Sequence, residues 1–390
     1  MSWNKIIGQQ QQIRVLQKAL ETGRFAHAYL FTGPEGSGKE SVAFEIAAIL
    51  NCRNAALDNL VGSCGTCPDC LQVESFMHPN MEYIFPVESA LLDASDSAKK
   101  ENKRFTEAKE RYGALLEQKK QNPYLSPAME RSMGILTDQI ITLQHKALFM
   151  PNEGSKKIFI ISQAERLHPS AANKLLKLLE EPPAHVVFIL VSSRPEALLP
   201  TIRSRCQAVR FSRVTSHELR LWLKTYRPEI VDPELSFIVG FSRGNLRLAW
   251  ELLNNRSENP SETATILLRN QALDYLRAVL TPSAFHKAII SCEQNAKNLS
   301  RANLTLFLAA LLLFFQDANH RRINPDFQEL NNPDISDAVN RFAKNFPNTD
   351  FFQISTITED AIRAIERNAN PLLVMASFTA EIKSLLLRKV

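Results

Sequence analysis

Apolar and polar positions alternate in blocks along the first half of the chain. The runs His27–Thr32 (HAYLFT), Lys157–Ile161 (KIFII) and Val186–Val191 (VVFILV) are rich in apolar residues and bounded by polar ones, which is typical of buried strands in a parallel sheet. A helix is predicted from Lys39 to Leu50, directly after the first of these strands. Strands that alternate with helices predict an α/β fold, in which a doubly wound parallel sheet is covered by helices.

The second half of the chain has a different pattern. From about Phe211 the strand pattern fades and helical spacing takes over, with a short helical set that ends near Asn255 and long helices beyond it. A polar segment, NRSENPSE, separates the two sets and is predicted to be a linker. We therefore predict three domains, an α/β domain, a small helical domain and a larger all-α domain, at residues 1–211, 212–256 and 257–390.

Composition and charge narrow the class of protein only a little. The 390 residues are 45% hydrophobic and 22% charged, as expected for a soluble globular protein with two or three domains. The most apolar run, Leu304–Phe315, is too short to cross a bilayer and is predicted to be a buried helix. The start of the chain has no secretory pattern, so we expect a cytoplasmic protein without a membrane partner. The net charge of +5 permits contact with nucleic acid but does not predict it.

A charged helix interrupts the α/β pattern between Glu88 and about Glu130. Its apolar residues follow one stripe at helical spacing, and they are Phe105, Ala108, Tyr112, Leu115 and Leu116. Asn122, Pro123 and Pro127 are expected to end the helix. We predict an inserted, solvated helix pair whose basic residues face water. A contact with DNA is the alternative interpretation.

The stretch Gly33–Ser41 (GPEGSGKES) follows the first predicted strand and has the form of a phosphate-binding loop. In such a loop the glycines let backbone N–H groups approach phosphates, and Lys39 reaches the outer phosphates. The next residue normally supplies a hydroxyl that holds Mg²⁺, and here it is Glu40. Ser41 cannot replace it, because one residue further along a helix turns a side chain by about 100°. An acid in the first turn of a helix also gains roughly 0.3–1 kcal/mol from the helix dipole, which is the simpler role for Glu40.

The second half of a hydrolytic site is altered as well. An ATPase of this type carries two acids at the end of the strand equivalent to Lys157–Ile161, one to orient Mg²⁺ and one to activate water. Ser162 and Gln163 stand at these positions, and the nearest acid, Glu165, lies further along in the turn toward the next helix. We therefore predict that the chain does not hydrolyse ATP. The loop would either hold ATP or ADP or be empty. Its candidate binding residues are Gly33, Gly36, Ser37, Gly38, Lys39, Glu40 and Ser41.

Four of the six cysteines lie close together, in the pattern C-x11-C-x2-C-x2-C. Thiolates at this spacing converge on one point, and four of them make the closed tetrahedral shell of a structural zinc site. Free thiols or disulfides are the alternatives, of which disulfides are disfavoured in a reducing cytosol. Cys206 and Cys292 stand alone and are expected to be small core residues. The predicted zinc ligands are Cys52, Cys64, Cys67 and Cys70.

Several further sequence motifs, in addition to the loop and the cysteine cluster, contribute to a resemblance to a known family. They are IIGQ (6–9), HPN (78–80), NKLLKLLEEPP (173–183), SSRPEALLPTIRSRC (192–206) and GNLR (244–247). Together these motifs resemble the AAA+ clamp-loader subunits of bacterial DNA polymerase III, and LLKLLEEPP with the Ser-Arg-Cys triplet is the most specific part. The resemblance implies an AAA+ domain, with the small helical domain as its lid and the all-α domain as a collar that joins subunits.

Two kinds of subunit within that family differ at the positions discussed above. The gamma/tau motors keep the hydroxyl after the lysine and an Asp-Glu pair after the strand, whereas the delta-prime stator has degraded ATPase motifs. This chain lacks all three groups, so it resembles delta-prime. The resemblance implies a hetero-pentamer with gamma/tau and delta subunits that loads the sliding clamp onto primer–template DNA. A gamma/tau-type ATPase with altered residues is the alternative, and a stand-alone zinc-dependent DNA-binding protein is disfavoured because a concentrated basic patch is lacking.

The resemblance also implies roles for three further residues. In the family, the arginine of the Ser-Arg-Cys triplet is a finger inserted into a neighbouring subunit's ATP site, which implies this role for Arg205. A surface or salt-bridged arginine is the alternative for that residue. Ser193 matches a polar sensor of phosphate, with a capped turn before Pro195 as its alternative. Arg247 matches a second sensor in the lid, with a solvated arginine as its alternative.

Overall fold

The structure is a computed structural model, and it describes Trp3 and residues 6–54, 62–92, 103–151, 155–254 and 264–387. Backbone contacts divide the chain into two compact units. Unit 1 comprises Met1–Leu219 and Gly244–Trp250, and unit 2 comprises Arg220–Arg243 and Glu251–Val390. The predicted domain boundaries after residues 211 and 256 stay predictions. The predicted linker NRSENPSE lies outside the described residues.

Unit 1 is built around a five-stranded sheet in which neighbouring strands are parallel. The strands are β1 Ala28–Thr32, β2 Met81–Ile84, β3 Lys157–Ile161, β4 Val186–Ser192 and β5 Gln207–Arg210. Across the sheet they follow the order β2-β3-β4-β1-β5. Leu190 of β4 is in register with Leu30 of β1 on one side and Ile161 of β3 on the other. The segments that follow β1 and β3 therefore meet at the same edge of the sheet.

Successive side chains of a strand point to opposite faces of the sheet. Both faces carry apolar side chains, and helices cover each of them. In β1, Tyr29 and Phe31 belong to one buried core, and Ala28 and Leu30 belong to the other. The helices of unit 1 up to β5 are α1 Gln10–Glu21, α2 Lys39–Asn51, α3 Pro68–Glu74, α4 Lys103–Gln121, α5 Thr137–Leu148, α6 Pro169–Glu180 and α7 Pro200–Arg205. The first core is closed by α1, α2 and α3, and the second by α5, α6 and α7.

The predicted α/β fold class is confirmed, since the three apolar runs form β1, β3 and β4 and the predicted helix Lys39–Leu50 is α2. The sequence pattern does not predict β2 and β5. Both are edge strands with polar residues among their four positions, and edge strands carry polar residues more often than central ones. Cys206 and Cys292 are buried, as predicted for core residues.

The insertion between β2 and α5 contains α4, which packs on a small core of its own. Ala108 of α4 is buried together with Phe85 and Met129, and Tyr112 stacks on Phe85 with ring centroids 5.5 Å apart. The predicted apolar stripe is therefore packed against protein. Among the described residues of the insertion, α4 is accompanied only by a 3₁₀ turn at Ser89–Leu91, so the predicted helix pair is not found there.

Unit 2 is all-helical in its described residues. The helices after β5, of which α8 and α10 have residues in both units, are α8 Ser216–Tyr226, α9 Asp232–Ser242, α10 Leu246–Asn254, α11 Ala264–Leu280, α12 Phe285–Asn298, α13 Arg301–Ile323, α14 Ser336–Asn345, α15 Phe351–Glu366 and α16 Pro371–Leu387. Helices α11, α14 and α15 pack against α13. All residues from Leu306 to Phe315 are buried, which confirms the predicted burial of this run. By length and composition α13 could span a membrane, but 72% of its apolar window is buried, as in a core helix.

Candidate nucleotide pocket and metal site

The loop Gly33–Gly38 connects β1 to α2. Gly36 and Gly38 have φ values of 70° and 85°, which glycine adopts without steric cost. A Cβ atom on Gly36 would lie 1.8 Å from Oδ1 of Asn245, so a larger residue does not fit at this position. Leu246 donates its N–H to the carbonyl of Gly36 over 2.8 Å. The segment that contains Asn245 and Leu246 is therefore bound directly to the loop.

Lys39, the first residue of α2, is buried beside the loop. Its Nζ donates hydrogen bonds of 2.7 Å and 2.6 Å to the carbonyls of Gly33 and Pro34. Burial lowers the pKa of Lys39 to about 8, although the negative charge of Glu40 acts in the opposite direction. A phosphate would therefore compete with the carbonyls of the loop for this ammonium group.

Glu40 is at the centre of the site, and only 5% of its surface is exposed. Its Oε2 accepts hydrogen bonds from Nζ of Lys119 over 2.6 Å and from the hydroxyl of Tyr83 over 2.8 Å. Its Oε1 accepts a short hydrogen bond from the hydroxyl of Ser162. Burial alone would raise the pKa of Glu40, but the charge of Lys119 and these hydrogen bonds outweigh burial and lower the pKa. Glu40 is therefore an ionised carboxylate at neutral pH.

Lys119 reaches this carboxylate from the last turn of α4, in the insertion. Its side chain is 1% exposed, and Nζ also donates to the carbonyls of Pro123 and Leu125 over 2.9 Å and 2.6 Å. These contacts use all three donors of the ammonium group. Nζ lies 5.5 Å from the centre of the Phe44 ring, which is a favourable cation–π distance. The prediction that the basic residues of the insertion face water is wrong for Lys119.

The two residues that follow β3 are also engaged. Ser162 is fully buried and donates to Glu40. Gln163 has a left-handed backbone with φ of 50°. Its Nε2 donates to the carbonyls of Ser126 and Pro127 over 3.1 Å and 3.0 Å. The two positions where an ATPase carries acids therefore hold neutral side chains that are bound to Glu40 and to the end of the insertion.

A cavity of about 370 Å³ lies beside the loop. Its walls include Lys39, Ser162, Glu165, Ser193 and Arg194. The hydroxyl of Ser193 donates to Oε1 of Glu165 over 2.8 Å. Oε2 of Glu165 is buried without a hydrogen-bond partner among the described residues. Ser193, the residue predicted to sense phosphate, therefore lies on the wall of the candidate nucleotide pocket, next to an acid.

The residues of the pocket do not fit Mg²⁺ bound to a nucleotide. A phosphate-loop enzyme holds this ion with the hydroxyl after the lysine and an acid after the strand, and Glu40 and Ser162 occupy those positions. The charge of Glu40 is already neutralised by Lys119. The anion-binding part of the loop is better preserved, because Lys39 is present and Gly36 and Gly38 have the positive φ values that let backbone N–H groups approach a phosphate.

The two arginines whose roles follow from the resemblance both form ion pairs within the chain. Nε of Arg247 lies 3.2 Å from Oε1 of Glu35 in the loop. Arg205, at the end of α7, pairs with Glu180 over 2.7 Å and donates to the carbonyl of Thr201 over 3.0 Å. The side chain of Arg205 is 35% exposed, and Arg205 is not among the described residues that line the pocket of its own chain. The finger role of Arg205 and the sensor role of Arg247 stay predictions.

The four clustered cysteines form a second site, between the end of α2 and α3. Their sulfur atoms all lie within 4.8 Å of one another, with 3.9 Å between Cys52 and Cys67 and also between Cys64 and Cys70. A zinc ion bound tetrahedrally to four thiolates at about 2.3 Å would place the sulfur atoms about 3.8 Å apart. A disulfide bond needs about 2.05 Å, so the geometry fits zinc and does not fit disulfides.

The thiols of the cluster differ in acidity, and the loop that carries them is attached to α2. Burial raises the pKa of Cys52 and of Cys70. The N–H of Cys67 points to the sulfur of Cys64 over 3.3 Å. Backbone hydrogen bonds, of which the one from Thr66 is the largest contribution, lower the pKa of Cys64 to about 5. Glu45 of α2 accepts hydrogen bonds from the N–H and the hydroxyl of Ser63 over 2.7 Å and 3.0 Å. The loop that carries the cysteines is therefore fixed to α2 by Glu45 as well.

Sequence reasoning finds most residues of the two sites but misses several of the pocket. The four predicted zinc ligands come together, and Lys39, Glu40 and Ser193 line one cavity. The other predicted nucleotide-binding residues are not among the described residues that line it, and they are Gly33, Gly36, Ser37, Gly38, Ser41 and Arg247. The residues that it misses are Tyr83, Lys119 and Asn245. Tyr83 carries no motif, and Asn245 lies in the GNLR motif but is not recognised there as a partner of the loop. Lys119 has a detectable signal, because it follows two apolar residues of the stripe in α4 at spacings of three and four, which places it on the buried face of the helix.

A parallel sheet with a phosphate-type loop after its first strand, bound to the segment at Asn245 and Leu246, has the AAA+ fold. Residues 8–215 of the 390 match the family model described as "DNA polymerase III, delta subunit". The chain belongs to this family of clamp-loader subunits. The predicted resemblance is therefore confirmed at the level of the family.

The curated relatives include both kinds of subunit. The chain is 26% identical to DNA polymerase III subunit delta' of Bacillus subtilis over 269 residues, which are 69% of this chain and 66% of that protein. It is 27% identical to subunit tau of Bacillus subtilis over 253 residues, or 64% of this chain and 36% of that protein. The chain thus spans only about a third of the length of that tau relative. A gamma subunit-related protein of Thermotoga maritima is similar in structure, with a TM-score of 0.43 and 16% identity, over 96% of this chain and 99% of that one.

We expect one zinc ion per chain in protein purified under reducing conditions, because four thiolates at this spacing bind zinc tightly. Metal analysis measures the content. Cys67→Ser should lose the ion and unfold at a lower temperature. Cys206→Ser, a change of a buried cysteine outside the cluster, should keep the ion. Wild-type protein that is folded and free of zinc would show that the cluster is a set of free thiols.

Glu40→Ala should lower the free energy of unfolding by about 3–5 kcal/mol, because it leaves the ammonium group of Lys119 buried without a counter-charge. Denaturant titration measures the loss. Glu35→Ala is the matched control, since the side chain of Glu35 is 52% exposed and its ion pair should contribute about 1 kcal/mol or less. A loss in Glu40→Ala that does not exceed the loss in the control would contradict a buried charge pair.

Proposed function

We propose that the chain is a delta-prime-like subunit of the DNA polymerase III clamp loader, a stator that does not hydrolyse ATP. The observation that carries the proposal is the buried ion pair between Glu40 and Lys119, at the position where a motor subunit would hold Mg²⁺. Membership of the clamp-loader family supports the class of protein. The relatives named delta' and tau represent the two kinds of subunit. The residues of the pocket favour the delta-prime-like kind for this chain.

ATP hydrolysis in a phosphate-loop enzyme needs a hydroxyl and an acid for Mg²⁺ and a further group that orients the attacking water. Glu40, Ser162 and Gln163 stand at these positions. The carboxylate is neutralised by an ammonium group, the serine hydroxyl donates to that carboxylate, and the glutamine amide is bound to backbone carbonyls. Because all three side chains have other partners, a single small rearrangement would not restore a hydrolytic site.

Arg205 is proposed to act in trans on ATP held by a neighbouring gamma/tau subunit. Its partner in the chain, Glu180, is 48% exposed, and exposed ion pairs contribute only about 0–1 kcal/mol. Negative charge that develops on a transferring phosphate attracts an arginine far more strongly. Exchange of Glu180 for a neighbour's phosphate would therefore cost little.

The remaining parts of the proposal concern assembly and cofactors. The chain would join gamma/tau and delta subunits in a cytoplasmic hetero-pentamer that opens the sliding clamp at primer–template DNA. Unit 2, with α13 as its buried helix, would supply the collar. The cysteine cluster would hold a structural zinc ion. The loop would hold ATP or ADP without hydrolysing it, through the backbone of its glycines and with Ser193 and Arg247 nearby.

The second candidate function is a gamma/tau-type ATPase with altered residues. The observation that favours it is Glu165, whose Oε2 is buried on the pocket wall without a hydrogen-bond partner among the described residues. A carboxylate in that position could orient water. Glu40 and Ser162 replace the residues that bind Mg²⁺ in a phosphate-loop enzyme. This replacement argues against the second candidate, because hydrolysis depends on that ion.

The isolated chain, assayed with primed DNA and clamp, should show no ATP turnover, because the groups that bind Mg²⁺ and orient water are replaced. Release of inorganic phosphate measures the turnover. Lys39→Ala is the control and should give the same background as the wild type. Turnover in the wild type that Lys39→Ala abolishes would identify the chain as a motor and overturn the proposal.

In a clamp loader reconstituted with this subunit, Arg205→Ala should slow hydrolysis at the neighbouring site by about 10³-fold or more. Assembly, followed by size-exclusion chromatography, should be unchanged. Arg203→Ala is the matched control, since Arg203 lies on the same short helix and is exposed, and it should retain hydrolysis. Full hydrolysis in the Arg205→Ala complex would contradict the finger role and would leave Arg205 only its ion pair with Glu180.

A further inference from the structure

The proposed function leaves the insertion without a role, yet the insertion ends inside the pocket. After α4, Pro123 and Leu125 present their carbonyls to Lys119. Ser126 and Pro127 then accept hydrogen bonds from Gln163. The insertion therefore does not lie on the surface as a separate lobe, because its last residues fill space at the end of β3.

The ammonium group of Lys119 has the surroundings of a bound cation. Three oxygen atoms lie 2.6–2.9 Å from Nζ, one from the carboxylate of Glu40 and two from backbone carbonyls. Carboxylate and carbonyl oxygens are also the ligands that hard divalent cations take in proteins. The same carboxylate stands at the position that holds Mg²⁺ in a phosphate-loop enzyme.

We propose that the ammonium group of Lys119 takes the place of Mg²⁺ beside the phosphate loop, so that the insertion fills the cation site with a charge of the chain's own. Glu40 is then the ligand of this internal cation. Ser162 completes the arrangement by donating its hydroxyl to the other oxygen of the carboxylate. The position beside the loop that holds Mg²⁺ in a phosphate-loop enzyme is then occupied.

An ordinary buried ion pair would not account for the pattern of altered residues. Glu40, Ser162 and Gln163 stand at the three positions that serve magnesium and water in a hydrolytic site. Each of them contacts the insertion or a residue bound to it. The loss of the metal site and the docking of the insertion therefore involve the same side chains, which fits the replacement of one cation by another.

This inference rests on the proposed loss of hydrolysis and deepens it, but the two can fail separately. Repeated turnover of ATP by the isolated chain would overturn the proposed function. Binding of a divalent cation in the pocket without turnover would overturn only the replacement of Mg²⁺ by Lys119. The two measurements below report on cations and not on activity.

The first measurement uses the wild-type chain and follows its thermal unfolding midpoint with ATP in the presence of Mg²⁺ and with ATP in the presence of EDTA. We expect the same midpoint in both, because Mg²⁺ has no site in the pocket. Each midpoint is compared with the midpoint of a nucleotide-free sample of the same zinc-loaded protein under the same condition. This comparison corrects for any effect of EDTA on the cysteine cluster. A larger stabilisation by ATP with Mg²⁺ than by ATP alone would overturn the proposal.

The second measurement uses Lys119→Ala, which leaves the carboxylate and the two carbonyls around an emptied space. Mn²⁺ at millimolar concentration should raise the thermal midpoint of this variant by about 2 °C or more, since a ligand that binds only the folded state stabilises it. Lys120→Ala is the matched control, because Lys120 is the exposed neighbour of Lys119. Mn²⁺ should leave the thermal midpoints of this control and of the wild type unchanged. A folded Lys119→Ala chain that Mn²⁺ leaves unchanged would overturn the proposal. If this variant does not fold, the wild-type measurement decides.

Discussion

The buried carboxylate of Glu40 and its counter-charge organise the pocket. Leaving the charge of Glu40 unpaired would cost several kcal/mol, so the fold has to bring a cation to it. The cation is Lys119, which lies 79 residues away in the sequence and is positioned by the inserted helix α4. The same ammonium group binds the carbonyls of Pro123 and Leu125, so the charge pair connects α4, the chain after it and the proposed loss of hydrolysis.

The sequence allows most of the fold to be predicted, because the central strands are short apolar runs and α2 follows the loop at once. It also locates the four cysteines whose sulfur atoms come together, since four cysteines at such close spacing in one chain are typical of a metal site. The edge strands escape prediction because exposure on one side allows polar residues. Glu40 could be recognised as incompatible with Mg²⁺, but its partner could not, because a motif describes neighbours in the sequence and this contact is between distant segments.

The insertion shows why a count of charges can mislead. Its many lysines and glutamates suggest a solvated helix, and for the exposed residues that interpretation holds. Lys119 differs only in its position, three and four residues after the apolar pair Leu115 and Leu116, which turns it toward the buried face. This position explains why Lys119 is buried, and the acid that its ammonium group meets is Glu40.

Helix α2 is held at both of its ends. At its start Glu40 is bound to the insertion and to Ser162, and at its end Cys52 belongs to the sulfur cluster. A helix fixed at both ends would move little relative to the rest of unit 1. A subunit that pushed on unit 1 would therefore displace it as a rigid body, without a local rearrangement around α2.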